Sequence, residues 1–117
     1  MDWLRSYIIQ SDDIVKVADW YTLAFETQAY FKNENYIGFS IGWHELGIFK
    51  RDSWYLQTWN NTEVYWWVDD IQSELDRLVL LWATPKDLPT EVWGGIIMAS
   101  VIDPFWNFLG IIYNPQV

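Results

Sequence analysis

The chain has no cysteine and a single histidine, His44, among its 117 residues. Disulfide scaffolds, thiolate nucleophiles and cysteine-ligated metals are therefore excluded, and so is any site that needs two imidazoles. Basic residues are scarce as well: seven Lys and Arg stand against 16 Asp and Glu, a formal net charge of −9. A chain of that sign repels a phosphate backbone and an anionic lipid surface, so neither nucleic acid nor membrane is an expected partner. No apolar run approaches the roughly 18 residues that a membrane-spanning helix needs. The opening Met1-Asp2-Trp3-Leu4-Arg5 lacks the basic and apolar regions of a secretory signal. From these absences the expected location is cytoplasmic.

Apolar and aromatic residues, by contrast, are abundant. The chain is 51% hydrophobic and 20% aromatic, with ten Trp. That suffices for a real core, and the length fits one domain over 1–117. The acidic surplus keeps a very aromatic domain soluble, and in a cleft it would also concentrate a cationic ligand. Solubility accounts for most of these residues.

An internal repeat organises the chain. Ser11-Asp12-Asp13-Ile14-Val15-Lys16-Val17-Ala18-Asp19 recurs in outline as Val68-Asp69-Asp70-Ile71-Gln72-Ser73-Glu74-Leu75-Asp76, at an offset of 69 − 12 = 57 residues, about half the chain. Each copy follows a β-prone run, Tyr7-Ile8-Ile9 or Val64-Tyr65-Trp66-Trp67-Val68, and leads into helical spacing. A unit that cannot bury its own face must stack on its copy, so two modules are expected, about 1–61 and 62–117.

In the first module the pattern predicts a strand over 4–10. A helix follows, capped by Asp12 or Asp13, with apolar positions Ile14, Val17, Ala18, Tyr21, Ala24, Phe25 and Ala29. Strands over 36–41 and 45–50 turn at Gly42-Trp43-His44, and the connector 51–61 carries a short strand at Trp54-Tyr55-Leu56. In the second module a strand over 63–68 precedes a helix from Asp69 through Leu75, Leu78 and Leu81. Residues 83–89 read as a short strand or loop, interrupted by Pro85 and Pro89. Strands over 96–101 and 108–113 flank the turn at Asp103-Pro104.

The last stretch, Asp103-Pro104-Phe105-Trp106-Asn107-Phe108-Leu109-Gly110-Ile111-Ile112-Tyr113-Asn114-Pro115, resembles the closing strand of the vicinal-oxygen-chelate superfamily of glyoxalases, bleomycin-resistance proteins and extradiol dioxygenases. Val92-Trp93-Gly94-Gly95 is similar to the Trp-Gly segment that precedes the penultimate strand in small members. The resemblance covers nearly the whole chain. It implies an α+β fold of two βαβββ modules forming a cup-shaped, mostly antiparallel sheet, assembled as a homodimer. It also implies metal-ligand positions on the first and last strand of each module, which fall here at Ser6, at Glu45 or Gly47, at Glu63 and at Gly110. Ser is a poor ligand and Gly offers no side chain, whereas a catalytic metal wants about three protein ligands and an open position. No metal site and no resident cofactor are expected on that count. Members also carry Gly where this chain has Trp106; a Trp there would cost on the order of 1 kcal/mol in a positive-φ turn, so an altered turn is expected.

Other motifs weigh less. His44 could serve as a general base, but its place beside Gly42-Trp43 reads as an exposed turn. Gly38-Phe39-Ser40-Ile41-Gly42 fits the nucleophile-elbow pattern, yet a strand follows it and no His comes later. Glu45 and Glu63, if both inward, would repel each other and form an acid–base candidate. Among the aromatics, Phe49, Tyr65, Trp67 and Phe108 are expected on the cup face, and Tyr7, Trp66 and Tyr113 on the helix side as core. Trp54, Tyr55 and Trp59 fit a dimer interface better than a lid.

The sequence thus points to a metal-independent small-molecule binding protein. Ser6 and Gln10 would hydrogen-bond an aromatic or cationic ligand, Glu45 and Glu63 would attract its charge, and Phe49, Tyr65, Trp67 and Phe108 would stack on it. The alternatives are a glyoxalase-type lyase or isomerase, which would need a divalent ion at Glu45 and Glu63, and a structural or regulatory dimer without a ligand.

Overall fold

The computed structural model describes residues 1, 3–56 and 61–115. The element order is β1 (Leu4–Ser11), α1 (Ile14–Phe25), β2 (Phe31–Lys32), β3 (Tyr36–Ile41), β4 (His44–Lys50), β5 (Thr62–Trp67), α2 (Ile71–Leu80), β6 (Thr84–Trp93), β7 (Ile96–Ile102) and β8 (Phe108–Tyr113). It is the expected α+β chain of two βαβββ modules. Two compact units result, one of Ser6–Glu63 and one of Val64–Val117 with Met1–Arg5.

In the first unit the strand order is β2-β3-β4-β1. The β2–β3 and β3–β4 pairs are antiparallel and β1–β4 is parallel, with Ser6 opposite Glu45, Ile8 opposite Gly47 and Gln10 opposite Phe49. Asp13 caps α1 by accepting a hydrogen bond from the Lys16 N–H at 3.1 Å. The helix ends at Phe25, where Glu26 takes φ 52° and returns its N–H to the Thr22 carbonyl. It therefore stops short of Ala29, which packs on the core from the following loop. Ile9, Ile14, Ala18, Ile37, Phe39, Leu46 and Ile48 form that core between α1 and the sheet. By the alternation of a strand, Ser6, Ile8, Gln10, Tyr36, Gly38, Glu45, Gly47 and Phe49 lie on the other, helix-free face. The segment read as a strand at Trp54 is instead a 3-10 turn, Ser53–Tyr55, and Trp59 lies outside the described residues.

In the second unit the order is β5-β8-β7-β6, with β5–β8 parallel and the other pairs antiparallel. Asp70 caps α2 through the Ser73 N–H, at the same 3.1 Å and the same 57-residue offset from Asp13. Val68, Ile71, Leu75, Leu78, Ala99, Val101 and Ile111 form the core. Residues 84–93 make one long strand that runs through both prolines, where the sequence suggested a short strand or a loop. β6 ends the strand order, and its register shifts around Asp87 and Thr90 take up the missing proline donors.

Two further expectations are corrected. Tyr113 packs on the helix-side core, but Tyr7 and Trp66 stay 41% and 37% exposed. The helices pack over β3–β4 and over β6–β8, which leaves the outer faces of β1 and β5 less covered. The closing turn is also not remodelled around Trp106, which takes φ 72° and is 90% exposed. The Asp103 carboxylate makes this possible: it accepts from the N–H groups of Phe105 (2.8 Å) and Asn107 (2.9 Å) and from the Asn107 side chain (3.0 Å). These bonds, led by those to Asn107, hold the Asp103 carboxyl below its usual range.

Candidate functional site: two helix-free faces

On the first unit's helix-free face, Glu45 is the organising group. Its carboxylate accepts hydrogen bonds from the Tyr30 hydroxyl at 2.7 and 2.8 Å and from the Tyr36 hydroxyl. Tyr36 is buried, Glu45 partly so. Two glycines make room for this cluster. A Cβ at Gly38 would come within 2.7 Å of a Glu45 oxygen. A Cβ at Gly47 would fall 2.7 Å from Tyr36 Cε1, nearer still to its hydroxyl, and 2.8 Å from Ile8 Cδ1. Phe49 packs against Tyr36 at 4.7 Å, and the Arg51 guanidinium lies over the Phe49 ring at 5.5 Å. Ser6 is buried opposite Glu45, while Gln10 and Glu63 are partly exposed.

The second unit's helix-free face follows the same plan with different residues. Tyr65 lies over Gly110: a Cβ there would sit 2.6 Å from the ring and 2.8 Å from the Val64 carbonyl oxygen. Phe108 meets Tyr65 edge-on at 5.6 Å, and the Lys86 ammonium lies 5.7 Å above the Phe108 ring. Beside Gly110, buried Ser100 donates to Asp87 at 2.9 Å and accepts its N–H at 3.2 Å, which pins β6 where its register shifts. Trp67 stacks on Trp3 at 4.7 Å with the planes 8° apart. Trp67 is 9% exposed, and its indole N–H has no hydrogen-bond partner among the described residues. That donor is the face's open chemical demand, because a buried N–H without an acceptor costs on the order of 1–3 kcal/mol.

Strand alternation places Ser6, Gln10, Glu45 and Phe49 on the first unit's helix-free face and Tyr65, Trp67 and Phe108 on the second's, while Glu63 lies partly exposed near the start of β5. Reasoning from sequence missed Tyr30 and Tyr36, the partners of Glu45. Tyr36 shares the alternation of Gly38, so it was within reach; Tyr30 precedes the two-residue β2, which has no readable pattern. Lys86 and Asp87 were missed because their segment read as a short strand or loop interrupted by proline. His44 opens β4 at the exposed hairpin tip, as its neighbours suggested.

The sequence matches no protein-family model and no curated protein. Solved structures do match. A hypothetical protein from Bacillus halodurans C-125 is 12% identical with a TM-score of 0.79, over 98% of this chain and 96% of that one. A glyoxalase/bleomycin resistance protein/dioxygenase superfamily member from Vibrio splendidus 12B01 is 11% identical with a TM-score of 0.69, over 96% of this chain and 100% of that one. Methylmalonyl-CoA epimerase of Streptomyces coelicolor is 10% identical with a TM-score of 0.76, over 98% and 96%. The chain has the vicinal-oxygen-chelate fold.

Metal-dependent members of the fold hold a divalent ion on their strand faces, and the residues here do not fit one. The repeat equates Ile8 with Tyr65, each opposite a glycine of the closing strand, so Gly47 is the counterpart of Gly110. Neither supplies a donor, and in each case a tyrosine ring fills the space a ligand side chain would need. Glu45 is bound by two phenols, and Ser6 is a neutral, weak ligand. Among the described residues no group of three or more His, Asp or Glu is arranged for a metal ion.

Proposed function

We propose that this protein binds a small aromatic or cationic molecule without a metal. Tyr65, Trp67 and Phe108 would stack on the ligand's ring. On the first unit's own face, Ser6 and Gln10 would offer hydrogen bonds to such a molecule, Phe49 a ring contact, and Glu45 and Glu63 negative charge. The observation that carries the reading is the buried indole N–H of Trp67, which asks for an acceptor on a face made of aromatic rings. The fold's metal positions point the same way, because tyrosine rings close over both glycines. The ligand therefore combines a planar ring with a hydrogen-bond acceptor.

Native mass spectrometry of the purified protein with metal analysis tests this. The expected result is a metal-free chain that retains an added small-molecule mass, or takes one up from a library of aromatic carbonyl compounds, and loses it in the Trp67→Phe variant. One tightly held divalent ion per chain would overturn the reading and bring a glyoxalase-type lyase or isomerase forward. Unchanged affinity in both Trp67→Phe and Glu63→Gln would refute the contacts assigned above.

A further inference from the structure

The sequence holds a single pair of adjacent basic residues, Lys50-Arg51, and the structure sets it in a cleft of about 350 Å³ with Asn35, Asp52, Trp54 and Tyr55. That volume is at the low end for a small-molecule site. The walls are tied down by backbone bonds: Lys50 N–H to the Asn35 carbonyl (2.9 Å), Arg51 N–H to the Ser11 carbonyl (2.9 Å) and Tyr55 N–H to the Asp52 carbonyl (2.9 Å). The last of these belongs to the 3-10 turn that presents Trp54 and Tyr55, 80% and 50% exposed and packed edge-on at 5.4 Å. The Arg51 guanidinium lies 5.5 Å from the Phe49 ring centre and 5.8 Å from that of Tyr55. Such rings restrain a planar cation; Nη1 of Arg51 donates to the Lys50 carbonyl at 3.4 Å, and the other edge donors are left to meet a planar anion.

We infer that this cleft binds a planar aromatic anion, a ring bearing a carboxylate or a phosphate. Arg51 takes the anionic group through its forked donors, Lys50 adds charge, and Trp54 and Tyr55 receive the ring. In a chain of net charge −9 a bare inorganic anion would be repelled. Asp52 also lines the cleft, so the ring contact is needed for retention. The site is separate from the ligand proposed above: its chemistry is anionic, and neither Trp67 nor Glu63 lines it.

Calorimetric titration of the full chain with 1-naphthoate, 1-naphthyl phosphate, 1-naphthamide and 1-naphthylmethylammonium tests the inference. Both anions should bind, at least about tenfold more tightly than the amide, with affinity falling as salt rises. Arg51→Gln should weaken the anions at least about tenfold, and Arg51→Lys should fail to restore them fully. Lys50→Gln, on an exposed side chain, should weaken them less. Trp67→Phe should leave them unchanged, which separates failure of this site from failure of the other. Equal binding of the ammonium compound, or anion binding indifferent to both Arg51→Lys and Lys50→Gln, would overturn the proposal. So would a dimer that dissociates in Trp54→Ala while the wild type binds no anion, because Trp54 would then be an interface residue.

Discussion

The two units solve one packing problem in two ways. Each has a glycine on its closing strand, at Gly47 or Gly110, and each lays a tyrosine ring over it. In the first unit the ring is Tyr36 of β3, and its hydroxyl joins that of Tyr30 in holding the Glu45 carboxylate. In the second the ring is Tyr65 of β5, and the nearby polar pair, Ser100 and Asp87, secures the register of β6. The first face satisfies its own charge; the second keeps a buried indole donor that no described residue meets. A repeated module thus conserves the backbone arrangement while the side chains divide the work. For that reason the second face is the better place to look for a ligand.

The sharpest way to break the comparison is to add one methyl group to each glycine. Gly110→Ala should destabilise by about 2–3 kcal/mol, because the new Cβ meets a backbone carbonyl as well as the ring. At Gly47 the three nearest atoms belong to side chains, and Gly47→Ala should cost about 1–2 kcal/mol. Urea unfolding of the two variants measures the difference, and a larger cost at Gly47 would show that the Tyr36–Glu45 cluster is the more rigid. Tyr36→Phe should cost about 1.5–3 kcal/mol, comparable with Gly110→Ala, by removing a charged hydrogen bond from Glu45. The helix caps should be equal across the units: Asp13→Ala and Asp70→Ala should each cost about 1 kcal/mol.

The smallest effects belong to the closing turn. Trp106→Gly should raise stability by up to about 1 kcal/mol, since it relieves a positive φ and gives up no burial. Asp103 has a folded pKa below its unfolded one, so its contribution is present above about pH 4 and is lost as the pH falls through the folded value. Acid unfolding of Asp103→Asn should lack that part of the pH dependence, and an identical acid profile would mean that the turn contributes nothing.

Much of this architecture was legible in the residues alone. The Asp-Asp-Ile repeat predicted both helix starts, because an N-cap is a local bond between a side chain and an amide three residues on. The turn at Asp103 is equally local. The limits of local reading show at β6, where two prolines argued against a strand and an edge position with register shifts tolerated them. They show again at Trp106, whose strain is met by hydrogen bonds from residues on either side.

Composition and spacing by themselves determined an acidic, cysteine-free, aromatic-rich chain with a 57-residue repeat that opens two helices. Those properties follow from residue identity and from contacts between near neighbours. Only the tertiary structure decided that tyrosine rings close over Gly47 and Gly110, that Glu45 is held by two phenols, that Trp67 buries a donor no described residue meets and that Arg51 lies by two rings. Each depends on strand register and on side chains meeting across separate strands and loops. A one-residue slip along a strand would exchange its two faces and dissolve these arrangements.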